Sequence, residues 1–192
     1  MSDSIEFPIR ADEDGKGWFY LDHRDDIEEW AALRDVAREV VEQYFWALQP
    51  ALEAWAESED AEVVVIDHPT WPRLGLTRPE WRSPDLPAVE VVIEWNRKTF
   101  LVPMVANEWP YTAVRVDAGL SPQHPVFSAF APIRKRLQGN ANGPWPFWRY
   151  ELLERDDDAL NPEELARLAL RSLRELWAAA APVLDSLTGA RP

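Results

Sequence analysis

The segment AVEVVIEW, residues 88–95, limits the possible folds of this chain more than any other feature. Large apolar residues occupy every second position, so consecutive side chains point to opposite faces of a β-strand. One face carries Val89, Val91, Ile93 and Trp95, and the other carries Glu90, Val92 and Glu94. A strand with one apolar face and one acidic face is typical of a sheet with one buried side.

Two later segments alternate in the same way and predict two more strands. In YTAVRVD (111–117), Thr112, Val114 and Val116 alternate with Tyr111, Ala113 and Arg115. In FWRYELL (147–153), Trp148, Tyr150 and Leu152 alternate with Phe147, Arg149 and Glu151. Weaker patterns predict strands at 5–9, 17–21, 63–66 and 100–105. The run at 63–66 is apolar throughout, which predicts burial on both faces. Pro103 in the last of these strands favours an edge strand or a bulge.

Three helical regions are predicted from capping residues and from apolar residues at helical spacing. The first begins at Asp25 or Asp26, is kinked or broken at Pro50 and continues over 51–56. Its expected buried face consists of Ile27, Trp30, Leu33, Ala37, Val40, Val41, Tyr44 and Leu48. The second runs from about 121 to 138. The third is the clearest, because Asn161 can cap it and Gly189 can end it.

Together these elements predict a single α+β domain over residues 1–192. Consecutive strands joined by short connections favour a mostly antiparallel sheet of about five to six strands. An N-terminal helix, a middle helix and a long C-terminal helix are expected to pack on this sheet. The proline-rich stretch from Thr70 to Pro87 is expected to be an ordered but irregular excursion.

The composition excludes several classes of function. The net charge is −14, from 34 acidic and 20 basic residues, which disfavours nucleic-acid binding and favours a basic protein partner. The absence of cysteine removes disulfides and thiol nucleophiles. We expect a cytoplasmic protein, because no apolar run is long enough to cross a membrane and the acidic start has no apolar leader segment.

Eleven tryptophans in 192 residues suggest a binding surface as well as a core. Four of them, Trp30, Trp55, Trp148 and Trp177, are expected in the core. Five others lie in or near predicted loops: Trp18, Trp71, Trp81, Trp109 and Trp145. The predicted ligand surface is an aromatic wall beside a cation, formed by Trp109, Trp145, Phe147 and Arg149. Arg115, Glu90 and Glu94 are expected nearby on neighbouring strands, where they can pair with Arg149 or Glu151.

Familiar catalytic signatures are missing from the sequence. It contains no G-x-S-x-G, G-x-x-x-x-G-K-[ST] or G-x-G-x-x-G pattern. The three histidines, His23, His68 and His124, are too scattered to predict a metal site. We therefore expect no metal and no cofactor.

One carboxylate set offers a catalytic alternative. The stretch SPDLPAVEVVIEWNRK contains Asp85, Glu94 and Lys98, and Asp67 precedes it. It resembles the PD-(D/E)XK pattern of restriction-endonuclease-like proteins, and that resemblance implies a divalent ion and an attacking water. The sequence departs from the pattern because Asn96 stands where a lysine belongs, with Lys98 two positions further on.

Three functions remain open at this point. The first is a non-enzymatic acidic module of inhibitor, immunity or adaptor type, which binds a basic protein through loop aromatics and its acidic surface. The second is a divalent-metal hydrolase or a degenerate nuclease core. The third is a small-molecule binder whose aromatic pocket lies between the sheet and a helix and is lined by Trp109, Trp145 and Arg149. An open and concave sheet face would favour it.

Overall fold

A computed structural model describes residues 15–83, 86, 88–102, 106–116, 119–151 and 160–189. The chain divides into two compact units, residues 1–37 and 38–192, and each is treated on its own. The single-domain organisation stays a prediction. The elements are α1 (Lys16–Asp22), α2 (Arg24–Trp46), α3 (Gln49–Glu59), β1 (Glu62–Ile66), β2 (Arg73–Thr77), a 3-10 turn (Pro79–Trp81), β3 (Val89–Glu94), β4 (Tyr111–Val116), α4 (Pro125–Ala129), α5 (Ala131–Leu137), β5 (Asn140–Asn142), β6 (Trp145–Tyr150) and α6 (Pro162–Thr188).

The first unit is helical where it is described. The predicted strand at 17–21 is wrong, because these residues belong to α1. Aromatic residues favour strands only when a neighbouring strand supports them, whereas a helix satisfies its backbone hydrogen bonds locally. The prediction of a buried Trp30 is also wrong, since 76% of its surface is exposed. The predicted strand at 5–9 lies outside the described residues.

The predicted break at Pro50 is confirmed. Helix α2 ends at Trp46, and Pro50 lies in the first turn of α3, where a missing N–H group leaves no hydrogen bond unmade. Only Val41 and Phe45 of α2 are fully buried, whereas Val40 and Tyr44 of the predicted apolar face are exposed.

The described strands form one antiparallel six-stranded sheet in the order β1-β2-β3-β4-β6-β5. This confirms the predicted α+β class, the antiparallel pairing and the strand number. The register places Glu94 opposite Tyr111 and Val92 opposite Ala113. It also places Tyr111 opposite Tyr150 and Ala113 opposite Trp148. No helix in the described part of the chain is both long and apolar enough to cross a membrane.

The largest difference from the predicted strands is β2, which lies inside the stretch expected to be irregular. It pairs with β1 on one side and β3 on the other. Gly75 sits at its centre, where an added Cβ atom would lie 2.1 Å from the carbonyl oxygen of Val91. The close approach requires glycine, which in a sequence usually argues against a strand. Because β2 lies between β1 and β3, β1 is an edge strand of the sheet. The predicted burial of 63–66 on both faces is therefore wrong, and Val65 is 40% exposed.

The strand predicted at 100–105 is also wrong where it is described. Residues 96–101 form a turn, in which the Asn96 carbonyl accepts hydrogen bonds from the amides of Thr99 and Phe100 at 3.1 and 2.8 Å. The Asn96 side chain also accepts one from the Lys98 amide. These bonds close a local turn. Residues 103–105 lie outside the description.

The main core lies between one face of the sheet and the helices of the second unit. It joins Val91, Ile93, Val114 and Phe147 of the sheet to Leu165, Leu173, Leu176 and Trp177 of α6. Helix α6 begins and ends as predicted: the Asn161 side chain accepts from the amides of Glu163 and Glu164, and Gly189 follows its last turn in a left-handed conformation. The predicted middle helix is divided into α4 and α5 at Phe130, before Pro132.

Candidate functional site

The face of the sheet opposite this core carries a second cluster of side chains, with Tyr111 of β4 at its centre. Trp148 and Tyr150 of β6 share its face because strand residues two apart point the same way. Trp71, before β2, and Trp145, at the start of β6, complete the group. We refer to these five residues as the aromatic cleft. No described helical residue belongs to this second cluster.

The rings of the aromatic cleft stand steeply on Tyr111. Its four neighbours make edge-to-face contacts with it, with centroid separations of 6.2 to 6.4 Å and interplanar angles of 66° to 85°. Trp148 and Tyr150 also meet each other at 5.1 Å and 74°. Edge-to-face contacts are a favoured geometry for aromatic pairs. In this packing the rings do not stack face to face on Tyr111.

The aromatic cleft encloses a cavity of about 370 Å³. Its five rings are joined in the lining by Ala106, Asn107 and Asn142. The register places the small residues Gly75, Val92 and Ala113 opposite one another in a row across β2, β3 and β4. Among the described lining residues there is no lysine, arginine, histidine, aspartate or glutamate. The size is at the lower end of the range for small-ligand pockets.

A second, polar cavity of about 230 Å³ adjoins the first. It is lined by His68, Arg73, Glu94, Arg115 and Pro144 together with Trp71 and Trp145. These two tryptophans line both cavities, so they form the shared wall. The face therefore combines an uncharged aromatic compartment with a charged one.

The charges of the polar cavity are unequally paired. Arg73 Nε lies 2.7 Å from Glu90 Oε2, which is a hydrogen-bonded ion pair. Arg115 approaches Glu90 at 3.6 Å and Glu94 at 3.9 Å, distances too long for hydrogen bonds. The guanidinium of Arg115 is therefore held electrostatically and more loosely than that of Arg73.

Glu94 connects the two cavities. Its side chain lines the polar cavity, and it accepts a hydrogen bond from the hydroxyl of Tyr111, which lines the aromatic one. Only 2% of Glu94 is exposed, and this burial raises its pKa above the usual range for a carboxyl group. Burial and the Glu94 carboxylate raise the pKa of Tyr111 as well, so the phenol is the proton donor of the pair.

The raised pKa of Glu94 predicts a pH-dependent stability. The folded protein retains this proton at pH values where the unfolded chain has lost it. The contribution is complete below the ordinary value of 4.5 and is lost as the pH rises through the folded pKa. We expect Glu94→Gln to gain stability relative to the wild type between about pH 4 and about pH 7, measured by urea unfolding. A constant difference across this range would contradict the prediction.

His68 presents a hydrogen-bond donor at the rim of the polar cavity. Its Nδ1 accepts from the amides of Thr70 and Trp71 at 3.1 and 3.0 Å. The neutral ring must then carry its proton on Nε2. The two hydrogen bonds from these amides also hold the backbone at Thr70 and Trp71, and so they position the Trp71 wall of the aromatic cleft.

The structure brings together three of the six predicted binding residues. Trp145, Arg115 and Glu94 line the polar cavity. Trp109 packs against the main core, and Phe147 is fully buried in it. The predicted wall of Trp109, Trp145 and Phe147 beside Arg149 is not formed.

Strand alternation explains why this wall is absent. It places Phe147 and Arg149 on the helix-side face, where Arg149 donates to the Leu137 carbonyl at 3.0 Å and to Glu175 at 3.3 Å. Trp145 reaches the other face, and the β5–β6 pairing shifts register near it. Arg149 and Glu151 pair with each other at 3.7 Å, not with Arg115, Glu90 or Glu94.

Sequence reasoning missed Tyr111, Tyr150 and Asn107 and assigned Trp148 to the core. A signal for Tyr111 was present, since the alternation of β4 places it on the same face as Ala113 and Arg115. Asn107 lies in the loop before β4, and its side chain accepts from the Tyr150 hydroxyl at 3.2 Å. Nothing in the sequence indicates that contact, because the two residues are 43 positions apart.

The carboxylate set of the hydrolase alternative is only partly described. Asp67 forms an ion pair with Arg97 at 2.7 Å, and Glu94 contacts Tyr111 and Arg115. Lys98 lies in the turn after β3. Asp85 lies outside the described residues. Within those residues, no group of three or more histidine, cysteine, aspartate or glutamate side chains could hold a metal ion.

No protein-family model, curated protein or solved structure matches this chain. Its function is therefore inferred from the chemistry of its own side chains. The two adjoining cavities are the feature of the described residues that best fits a binding site.

Proposed function

We propose that the protein binds a small organic ligand in the aromatic cleft, on the face of its sheet opposite the main core. One observation carries the proposal: five aromatic side chains line a cavity of about 370 Å³ instead of filling it. Trp71, Trp145, Trp148 and Tyr150 are only half-buried there. A ligand that covered these rings would remove apolar surface from water and stabilise the complex.

Strand pairing and hydrogen bonds hold part of the cleft in place. Tyr111, Trp148 and Tyr150 project from paired strands, and the Tyr150 hydroxyl contacts both the amide and the side chain of Asn107. A site built on sheet strands with fixed side chains loses little conformational entropy when a ligand arrives. This supports a preformed binding site.

Ligand-detected NMR with a mixture of small cationic, neutral and anionic fragments tests the proposal. We expect saturation transfer to a subset of fragments, with affinity reduced about tenfold or more in Trp148→Ala. Trp30→Ala is the matched control, because Trp30 is an exposed tryptophan on α2 that does not line the cleft. Both variants are first checked for wild-type circular dichroism.

Two outcomes would overturn the proposal. One is the absence of saturation transfer to any fragment. The other is equal binding by the wild type and the folded Trp148→Ala variant, since the fragments would then bind elsewhere.

A second proposed function is an acidic module that binds a basic protein, and the N-terminal unit favours it. Its described residues expose the large apolar side chains of Trp18, Phe19, Leu21, Trp30 and Leu33. The acids Asp22, Asp25, Asp26, Glu28 and Glu29 lie among them. Aromatic anchors surrounded by acids are complementary to a partner segment that combines arginine or lysine with apolar residues.

A displayed peptide library tests this second function. We expect the wild type to enrich basic amphipathic peptides, and Trp30→Ala with Leu33→Ala to lose them, whereas Trp148→Ala retains them. Binding should weaken as the salt concentration rises. Enrichment of neutral or acidic peptides, or equal capture by the double variant, would rule out the basic partner. Self-association of the wild type in sedimentation would instead assign this surface to a second copy of the chain.

A further inference from the structure

The lining of the aromatic cleft restricts the charge of its ligand. All of its large apolar side chains are aromatic, and no leucine, isoleucine, valine or methionine lines it among the described residues. The faces of aromatic rings carry a negative potential that attracts cations, and tryptophan does so most strongly. Three of the five rings are tryptophans. This composition favours a cation over a neutral apolar ligand.

The absence of ionised groups in the described lining restricts the type of cation. A primary ammonium is strongly hydrated and needs several hydrogen-bond acceptors when it leaves water. The side-chain oxygens available in the cleft are those of Asn107, Asn142 and the two tyrosines, and Asn107 already accepts from Tyr150. An N-methylated ammonium loses fewer hydrogen bonds on entering such a site.

Glu94 supplies negative charge at the hydroxyl end of the central ring. Its carboxylate accepts the Tyr111 hydroxyl proton in a hydrogen bond and lines the adjoining cavity. The hydrogen bond moves electron density toward the phenol ring, and the carboxylate adds an attraction of its own. Arg115 is the nearest opposing charge, but its guanidinium stays 3.9 Å from Glu94 without a hydrogen bond.

We propose that the aromatic cleft binds a quaternary or N-methylated ammonium group, with Glu94 acting through Tyr111 as a positioning residue. The inference rests on the proposed small-ligand function and names its ligand class. The net charge of −14 favours the approach of such a cation. The cation can belong to a free small molecule or to a methylated lysine in a peptide, because both present the same chemistry.

Isothermal titration with matched probes tests the ligand class. Choline is compared with 3,3-dimethylbutan-1-ol, in which a carbon atom replaces the charged nitrogen. We expect choline to bind about ten times more tightly than this neutral isostere. A peptide with trimethyl-lysine is compared with the same peptide carrying unmodified lysine. Tighter binding of choline would indicate a free small molecule as the source of the cation. Tighter binding of the methylated peptide would indicate a methylated lysine.

Two variants separate charge from shape. Glu94→Gln keeps an acceptor for the Tyr111 hydroxyl, and we expect it to weaken choline binding about three- to tenfold without changing the isostere. Glu175→Gln is the control, because it removes the same charge from the helix side of the protein, where Glu175 contacts Arg149. It should change neither affinity by more than about twofold.

The outcomes distinguish the inference from the function on which it rests. Equal binding of choline and the isostere, with both lost in Trp148→Ala, would overturn the ammonium ligand and leave the proposed binding function intact. The same conclusion would follow if other fragments bind in the cleft but neither choline nor the methylated peptide binds. Failure of every fragment and probe would overturn both. An equal loss of choline binding in Glu94→Gln and Glu175→Gln would show that Glu94 acts only through net charge.

Discussion

Asp185→Ala is expected to lower the free energy of unfolding by about 3–5 kcal/mol, because it leaves a buried cation without its partner. Asp185 Oδ2 accepts from Arg78 at 2.7 Å, and Oδ1 accepts from the Trp81 indole, also at 2.7 Å. Only 5% of Arg78 is exposed. Urea unfolding at neutral pH, followed by circular dichroism, measures the loss as a change in midpoint at constant slope.

The surroundings of Arg78 explain why no other group replaces Asp185. The guanidinium carbon lies 5.6 Å from the ring of Trp81 and 5.2 Å from that of Trp177, so two aromatic rings take the place of water beside the cation. Arg78 also donates to the Glu59 carbonyl at 2.9 Å, but the Glu59 carboxylate is 3.9 Å away. A neutral carbonyl and a distant carboxylate offset only part of the cost of desolvating the charge.

Two further variants separate the charge from the hydrogen bonds. Asp185→Asn retains an acceptor for Trp81 and should have an intermediate effect. Arg78→Met combined with Asp185→Ala should recover much of the loss, because a buried ion pair is often replaceable by apolar side chains. A cost below about 1 kcal/mol for Asp185→Ala would mean that water or a rearranged Glu59 solvates the cation.

Periodicity and capping were sufficient to predict the elements whose pattern is local. Helix α6 was predicted to within a residue or two because Asn161 and Gly189 mark its ends. Strands β3 and β4 were predicted with the correct side chains on each face because apolar and polar residues alternate in both. By contrast, β2 depends on the approach of Gly75 to the Val91 carbonyl, a tertiary contact with no local signature.

The candidate site was predicted less well because β6 has aromatic side chains on both faces. Its alternation was correct, but the sequence did not show which face meets the helices. Polar residues Arg149 and Glu151 argued for solvent on the face that the structure buries. Glu151 is accommodated there by hydrogen bonds from Thr112 at 2.7 Å and Ser172 at 2.6 Å. These partners come from β4 and α6, so they become visible only with the fold.

Of two neighbouring aromatic substitutions on β6, one is expected to cost more stability and the other to cost more ligand binding. Phe147→Ala should lower the free energy of unfolding by about 3–5 kcal/mol, because it opens a cavity in the main core. Trp148→Ala should lower it by about 1–2 kcal/mol, since this half-buried ring borders an existing cavity. Urea unfolding gives both values, and ligand-detected NMR should show the larger binding loss for Trp148→Ala.

Phe147→Leu serves as the milder variant if the alanine protein does not fold. It should reduce stability while leaving fragment binding within about twofold of the wild type, because Phe147 does not line either cavity. Equal stability losses at positions 147 and 148, or a binding loss confined to position 147, would mean that the faces of β6 are assigned incorrectly.

Gly139 provides an independent test of the position of Phe147. A Cβ atom added at Gly139 would lie 2.2 Å from the Phe147 ring, so Gly139→Ala alone should be destabilising. Shortening the ring to leucine removes that overlap, and the double variant Gly139→Ala with Phe147→Leu should be more stable than the sum of the single effects predicts. The coupling energy is expected to be about 1–2 kcal/mol in a double-mutant cycle. Additive effects would mean that Phe147 does not occupy the helix-side core beside Gly139, which would also remove the basis for placing Trp148 in the cleft.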